Sequence, residues 1–597
     1  MLKLMKYLRP FWLGVVLIVL LLLAQAMLEL FLPTLMSDIV NDGVVYAYIN
    51  NVSRTPFILR MGGLMLFVAF LAGSASMTAM YISPRIAAGA ARNLRKDLFV
   101  KVEGFSQAEF DKFSSASLIT RCTNDITQVQ NIAAIFARTL LYAPILGAGG
   151  IFMALTRNVS MAWIIALAVM VLIGIVITLV RILLPKFRIM QTLVDNLNKV
   201  SREILHGLMV IRAFGTQKYE KERFGKTNQE LKDVGLFVGR VTAVIMPALT
   251  LLMGGTQILV IWVGAHQIES GMAYSVTASG FNIGDMIAFM QYAMQVIFAF
   301  MMISMVLVML PRAQVSAGRI VEVLETEESI VDPAIPQRFS TGKGRVKFEN
   351  VSFKYPLAES DAVESVSFIA EPGKTTAIIG ATGAGKTTIA QLLLRFYDVT
   401  GGRVLVDGID IREVTQEDLR KKIGYVPQKG QLLSGTISSN IRYGANELTD
   451  EEVTEVAKIA QAFEFIENTE NKLEHEISQG ATNVSGGQKQ RLSIARALAK
   501  KPEIILFDDS FSALDFQTDA KLRRALREHV ADATVIVIAQ RVGTIINAEQ
   551  ILVLDEGKIV GRGTHEELLK STPAYHEIAQ SQGVLDSQGT NDAGGAA

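Results

Sequence analysis

Two features predict an all-α membrane domain of six spanning helices fused to a soluble α/β P-loop domain. The first half of the chain holds six apolar runs long enough to cross a bilayer, and the second holds a glycine-rich loop between a buried strand and a helix. Composition agrees: half of the 597 residues are hydrophobic and 19% are charged, with a mean hydropathy of +0.33. Disordered, collagenous and disulfide-scaffold classes are excluded. With 58 basic against 57 acidic side chains, net charge +1, no global field points to nucleic acid as a partner. Cys122 is the single cysteine and the six histidines show no pair at ligand spacing, so the pattern offers no structural metal site.

The membrane domain is expected over 1–325, with spans at about 11–33, 61–83, 132–156, 160–181, 241–265 and 283–311. The first run follows Lys3, Lys6 and Arg9 but is too long for a signal peptide and lacks a small-residue cleavage site, so it reads as a retained span. The N-terminal stretch and the connections 84–131 and 181–240 carry 22 basic residues, against 3 in the other three connections. That bias puts the N-terminus, both long connections and the following soluble domain on the cytoplasmic side of the membrane. The long connections are polar and helical in pattern and read as spanning helices continued into water.

An acidic run, two prolines and terminal glycines mark 326–344 as a linker. From 345 to 582, short β-branched runs alternate with helical segments, the signature of a mainly parallel sheet. The stretch 583–597 has little to bury and reads as a disordered tail.

The segment "IIGATGAGKTT" satisfies GxxxxGK[ST] in its required context. Gly380, Gly383 and Gly385, with Thr382 and Ala384 between them, let backbone N–H groups turn towards phosphate oxygens. Lys386 is placed to bridge the β- and γ-phosphates, Thr387 offers a hydroxyl to Mg²⁺, and Thr388 continues the helix. Four apolar residues, Ile504 to Phe507, then end in Asp508, a carboxylate at a strand edge where a metal's water shell is held.

At "NVSGGQKQRLSIARAL" the chain resembles the ABC-transporter signature. With "ATGAGKTT", "YVPQ" and "ILFDD" the second half looks like an ABC nucleotide-binding domain, and the whole chain except its tail is similar to half-size ABC exporters. The resemblance implies ATP and Mg²⁺ as ligands. It implies that Tyr355 stacks on adenine, and that Gln428 links Mg²⁺ to the membrane domain. Asn483, Ser485, Gly486, Gly487 and Gln488 would cap the γ-phosphate of a nucleotide on the opposite domain, and Asp515 would communicate across that dimer. Two segments, 105–121 and 211–224, resemble the cytoplasmic coupling elements. There Phe110, Phe113, Phe214 and Tyr219 either seat in nucleotide domains or pack within their own helices.

Two positions depart from that pattern. Asp509 stands where the family has the Glu that positions the attacking water, and Gln540 stands where it has the switch His. The missing methylene retracts the carboxylate by roughly 1–1.5 Å, and a Gln cannot carry positive charge towards a γ-phosphate. Both changes fall on the site built from this chain's own Walker motifs, whereas the signature, which serves the partner's nucleotide, is nearly intact. The expectation is a heterodimer in which this chain binds ATP at a degenerate site and a second half-transporter supplies an intact Glu and His. In this it resembles the degenerate-site subunit of bacterial heterodimeric multidrug exporters. The expected cargo is an amphipathic small molecule moved outward from cytoplasm or inner leaflet; the alternatives are a lipid flippase and a homodimer with two slow sites.

The last span carries Met286, Met290, Met294, Met301, Met302, Met305 and Met309 beside Gln295 and Phe298. Flexible thioethers suit a surface that accepts many apolar shapes, and they equally suit helix packing. Glu29 is the clearest acid within a span. It reads either as a cargo contact or, near the outer end, as an interfacial solvated side chain.

Overall fold

The computed structural model describes residues 2–272, 282–339, 342–356 and 358–583. The chain forms two compact units that interleave in sequence. One holds the residues up to Glu103 and Ser115–Thr326, the other Gly104–Ser114 and the chain from Glu327 on.

The helices run in order as α1 (Trp12–Asp38), α2 (Thr55–Glu103), the short α3 (Gln107–Phe113), α4 (Ile126–Arg157), α5 (Ala162–His206), α6 (Gln217–Ala243), α7 (Ile245–Met272) and α8 (Ile283–Glu325). Five helical stretches among the described residues are long and apolar enough to cross a membrane: Lys3–Ile49, Thr55–Glu103, Val159–His206, Gln217–Glu269 and Ile283–Ser304. In α4 the apolar part among them is the shorter Leu141–Arg157; the side chains of 136–138 and 140 lie outside the described residues. At 1.5 Å per residue, the 49 residues of α2 span roughly 70 Å, more than twice a hydrocarbon core, so much of the helix lies beyond the bilayer.

Small residues set the packing of the first unit. A Cβ on Gly149 would lie 2.3 Å from Leu30 Cδ1 and one on Gly150 would lie 2.9 Å from Val296 Cγ2, so α4 approaches α1 and α8 because it presents glycine there. Leu22, Ala26, Tyr142, Phe289, Tyr292 and Val296 fill the resulting core. At one end of these helices Arg157 donates to Asp285 Oδ1 at 2.8 Å, and Ser37 donates to the same oxygen at 3.0 Å. α1 does not stop near residue 33. It continues through a π-helical stretch, Ile39–Val45, into Tyr46–Ile49, which leaves Glu29 well inside a continuous helix rather than at its end.

The second unit contains β1 (Val346–Phe353), β2 (Val363–Ala370), β3 (Thr375–Gly380), α9 (Lys386–Leu393), β4 (Gly401–Val406), β5 (Ile409–Asp410), β6 (Ile423–Val426), α10 (Gly486–Ala499), β7 (Ile504–Asp508), α11 (Phe516–His529), β8 (Thr534–Ile538), β9 (Gln550–Asp555) and β10 (Lys558–Gly563). Six strands form one sheet in the order β10-β9-β3-β8-β7-β6, parallel except for the edge strand β10. An antiparallel sheet, β2-β1-β4-β5, lies beside it in the same unit. Continuous burial along β3 and β7 reflects cover on both faces, as parallel strands require. After α8 ends at Glu325, Thr326 to Arg338 form neither helix nor strand. Of the stretch expected as a tail, residues 584–597 lie outside the described residues.

Candidate functional site

The glycine-rich loop is shaped by what surrounds it. A Cβ at Gly380 would sit 2.0 Å from the carbonyl oxygen of Leu554, so β9 leaves no room for a side chain there. Gly383 and Gly385 take φ of +87° and +93°, the left-handed region that favours glycine, and a Cβ on Gly385 would meet Ala362 O at 2.4 Å. The chain then enters α9 with its first N–H groups facing the loop, where an anion is favoured.

Lys386 is 8% exposed and curls back over the loop, donating to the carbonyl oxygens of Gly380 at 2.8 Å and Ala381 at 2.7 Å. Burial pushes its ammonium below the usual lysine range, against the pull of Asp509 and Asp508. Asp508 ends β7 at 2% exposure, and burial pushes its carboxyl above the usual range, opposed by the Thr387 hydroxyl and Lys386. Thr387 Oγ1 donates to Asp508 Oδ1 at 3.3 Å. This pair, a buried carboxylate with an exposed hydroxyl beside it, fits a hard divalent cation such as Mg²⁺ that takes its other oxygens from phosphate and water.

Gln428 is not gathered with that pair. Its Nε2 donates to Asp509 Oδ2 at 3.1 Å, and Gln540 Nε2 donates to the same oxygen at 2.9 Å. Asp509 thus sits between two amides, one beyond β6 and one beyond β8. Its backbone has φ of +46°, with its N–H donating to Ile538 O at 2.8 Å. One carboxylate oxygen therefore accepts from two side chains.

The segment resembling the signature faces solvent, with Asn483, Ser485 and Gly486 exposed. Ser485 caps α10 in a reciprocal capping box: Gln488 N donates to Ser485 Oγ at 3.3 Å and Ser485 N to Gln488 Oε1 at 2.8 Å. Asn483 braces the preceding turn by accepting from Ser478 N and donating to Glu476 O. Gly486 and Gly487 leave the N-terminus of this 14-residue helix uncovered, and no heavy atom lies within 4 Å of where a Gly486 Cβ would stand. Asp515 caps α11, accepting from Thr518 N at 2.9 Å and Thr518 Oγ1 at 2.7 Å, bonds that hold its carboxyl below the usual range.

Tyr355 packs edge-on against Phe353 and Tyr397. Its hydroxyl meets Thr388 Oγ1 at 3.0 Å and donates to Gln391 Oε1 at 2.8 Å, so the ring is anchored on α9. Phe113 is buried and stacks on Phe105, while Phe110 meets Phe105 edge-on, all within the second unit. Between them Asp111 accepts from the Tyr397 hydroxyl at 2.7 Å. Phe214 and Tyr219 are 77% and 65% exposed on the first unit. The methionine stripe divides. Met286, Met290 and Met302 are half-buried against the core of the first unit, Met294 packs against Ala168, Leu172 and Ile297, and Phe298 is exposed. The side chains of Met305 and Met309 lie outside the described residues. Gln295 Nε2 donates to the backbone oxygen of Glu29 at 3.2 Å. Sequence reasoning missed the Asp111–Tyr397 bond and two side chains that donate to the Glu29 carboxylate, Gln25 and Tyr142. For Gln25 the signal was present, since it lies one turn before Glu29 on the same face of the helix.

Comparison with known proteins matches both halves of the chain. The family described as ABC transporter transmembrane region matches residues 15–300, and the ABC transporter family matches residues 363–512. An uncharacterized ABC transporter ATP-binding protein of Mycobacterium tuberculosis is 40% identical over 97% of this chain and 97% of its own. A fatty acid ABC transporter ATP-binding/permease protein of the same species is 32% identical over 82% of this chain and 76% of its own. An ATP-dependent lipid A-core flippase of Pasteurella multocida is 29% identical over 97% of both chains. Among solved structures, a bacterial Atm1-family ABC exporter with ATP bound superposes with a TM-score of 0.74 at 26% identity, covering 96% of this chain and 98% of that one.

Proposed function

Because this chain belongs to the ABC transporter family, as a half-size exporter with its transmembrane region and ATP-binding domain in one polypeptide, we propose that it is the degenerate-site subunit of a heterodimeric exporter of amphipathic small molecules. ABC ATPase domains of this kind couple ATP hydrolysis to transport. Within the pair the work is divided. The chain binds Mg²⁺–ATP on Lys386, Thr387 and Asp508 and stacks adenine on Tyr355, but turns the nucleotide over slowly. Its signature, Ser485 to Gln488, completes the partner's competent site, and Asp515 contacts the partner.

The observation that carries this reading is the state of Asp509: a short carboxylate with one oxygen taken by Gln428 and Gln540, on a chain whose signature helix start is capped and open. A Mg²⁺ ion bound beside Thr387 and Asp508 would polarise the terminal phosphate. The residues that would orient and deprotonate water there are an Asp that falls short and a Gln that cannot be charged. Exposed Phe214 and Tyr219 give the assembled pair an aromatic contact on the cytoplasmic side. The N-terminus and ATP-binding domain are cytoplasmic, in keeping with the basic residues of the long connections. Relatives named for fatty acids and lipid A-core favour a cargo with an apolar tail and keep a lipid flippase as the second reading.

The test is native mass and subunit identity after gentle extraction from the chain's own membranes. A one-to-one complex with a second half-transporter that carries Glu after its Walker B Asp is the expected result. A homodimer with steady ATP turnover would refute the division of labour.

A further inference from the structure

Inside α1 the first unit gathers more hydrogen-bond acceptors than donors. Gln25 Nε2 donates to Glu29 Oε1 at 2.9 Å, Tyr142 on α4 donates through its hydroxyl to Glu29 Oε2, and Gln295 on α8 donates to the Glu29 backbone oxygen. All three donors are neutral. Among the described residues no Lys, Arg or His pairs with Glu29. The carboxylate has about four lone-pair sites, and these contacts use two of them.

The two amides add to the imbalance. Gln25 Oε1 and Gln295 Oε1 are buried without a donor, and Gln25 as a whole is 4% exposed. Gln25 Oε1 sits on an amide whose nitrogen touches the Glu29 carboxylate, and Gln295 Oε1 on one whose nitrogen touches the Glu29 backbone oxygen. Buried polar atoms in folded proteins are almost always paired, which makes two orphans on one acid an observation that asks for a ligand. An acid inside a spanning helix faces a cavity or a partner more often than lipid. Phe298, one turn beyond Gln295, offers an exposed apolar surface beside the cluster.

We propose that Gln25, Glu29, Tyr142 and Gln295 form a headgroup site for a primary ammonium on an apolar tail. The N–H groups of such a headgroup have acceptors to meet in the Glu29 carboxylate, whose remaining lone pairs are free, and in the two amide oxygens. A carboxylate headgroup would stand against the Glu29 carboxylate and is disfavoured by like charge. This proposal rests on the exporter reading for the transport step, and it names the cargo class for that reading.

The test uses the full complex in lipid nanodiscs without nucleotide, with binding of radiolabelled amphiphiles measured by equilibrium dialysis against empty nanodiscs. Dodecylamine, dodecyltrimethylammonium, dodecanol and dodecanoate share a tail and differ in headgroup. Dodecylamine is expected to bind at least about tenfold more tightly than the other three, the scale of one charge-assisted hydrogen bond. Glu29→Gln, which keeps the size and neutral contacts, should erase that preference, and Gln295→Leu should reduce it. Equal binding of dodecanoate and dodecylamine overturns the proposal, as does a preference unchanged in Glu29→Gln. Equal binding of the trimethylammonium probe overturns the role of the amide oxygens. The wild-type headgroup series decides even where a variant fails to fold. Dodecylamine binding without ATP-driven uptake into inverted vesicles would count against export and leave the site standing; uptake of other cargo without amine preference would count against the site alone.

Discussion

Lengthening Asp509 should restore hydrolysis at this chain's own site, provided Gln540 is changed with it. The experiment needs a background in which the competent site is silent. Gly486→Asp supplies one, because it places a negative charge at the exposed start of the signature helix, where a new Cβ meets nothing within 4 Å. Under the proposed division of labour, the remaining turnover in that background reports this chain's own site. Asp509→Glu moves the carboxylate outward by roughly 1–1.5 Å. The two bonds to Asp509 Oδ2 are 3.1 and 2.9 Å, so a shift of that size carries at least one of them past the about 3.5 Å limit of a hydrogen bond. The longer side chain therefore gains reach and sheds part of its amide clamp, and Gln540→His supplies the missing cation. Phosphate release from labelled ATP by the complex in nanodiscs should rise by about 10²-fold over Gly486→Asp alone, equivalent to about 2.7 kcal/mol of barrier. A double variant no faster than its background would refute the argument that reach and clamping make this site slow.

Three further outcomes are set by the local geometry. Gly385→Ala forces φ of +93° on a residue with a side chain and sets its Cβ 2.4 Å from Ala362 O; a loss of about 1–3 kcal/mol from backbone strain alone is expected, read as a lowered Tm and absent nucleotide protection. Asp508 holds its proton to higher pH when folded than when unfolded, so its charged form costs stability as pH rises above the ordinary carboxylate range. Asp508→Asn should raise the Tm of Mg²⁺-free protein at pH 8, with the gain shrinking towards pH 4, and should abolish the further rise on adding Mg²⁺–ATP. Tyr397→Phe removes the 2.7 Å bond to Asp111, a bond to a charged group worth about 1.5–3 kcal/mol; basal ATPase should persist while its stimulation by cargo falls, as measured in the same nanodiscs.

The phosphate loop was legible because the glycines encode a backbone path. Gly380 and Gly385 are small because Leu554 and Ala362 carbonyls stand where their side chains would go, and the motif records that constraint without naming its cause. Asp508 was legible because four apolar residues before a carboxylate mark the edge of a buried strand. Pairings between distant segments escaped. Tyr397 and Asp111 lie 286 positions apart, and Tyr142 reaches Glu29 over 113; no local pattern carries either. Hydropathy also ended the first span near residue 33, because it registers composition, whereas the helix runs to Ile49 on backbone hydrogen bonds that polar residues make equally well. The methionine stripe fixed a face of α8 but not its neighbour, and among the described side chains Met286, Met290, Met294 and Met302 meet the core of their own unit.

The two departures from the hydrolytic pattern are coupled through one oxygen atom. With Gln540 and Gln428 both donating to Asp509 Oδ2, changing position 509 alone strands an amide, and changing position 540 alone sets a cation against a carboxylate too short to reach substrate. Changing 509 alone gains reach without a cation, and changing 540 alone gains a cation without reach, so the two residues are expected to travel together. A double-mutant cycle makes this quantitative: in the Gly486→Asp background, the turnover gain of Asp509→Glu with Gln540→His should exceed the product of the single gains by about fivefold or more, a coupling of about 1 kcal/mol. Independent, multiplicative gains would mean that the shared hydrogen bonds of Asp509 do not govern the chemistry at this site.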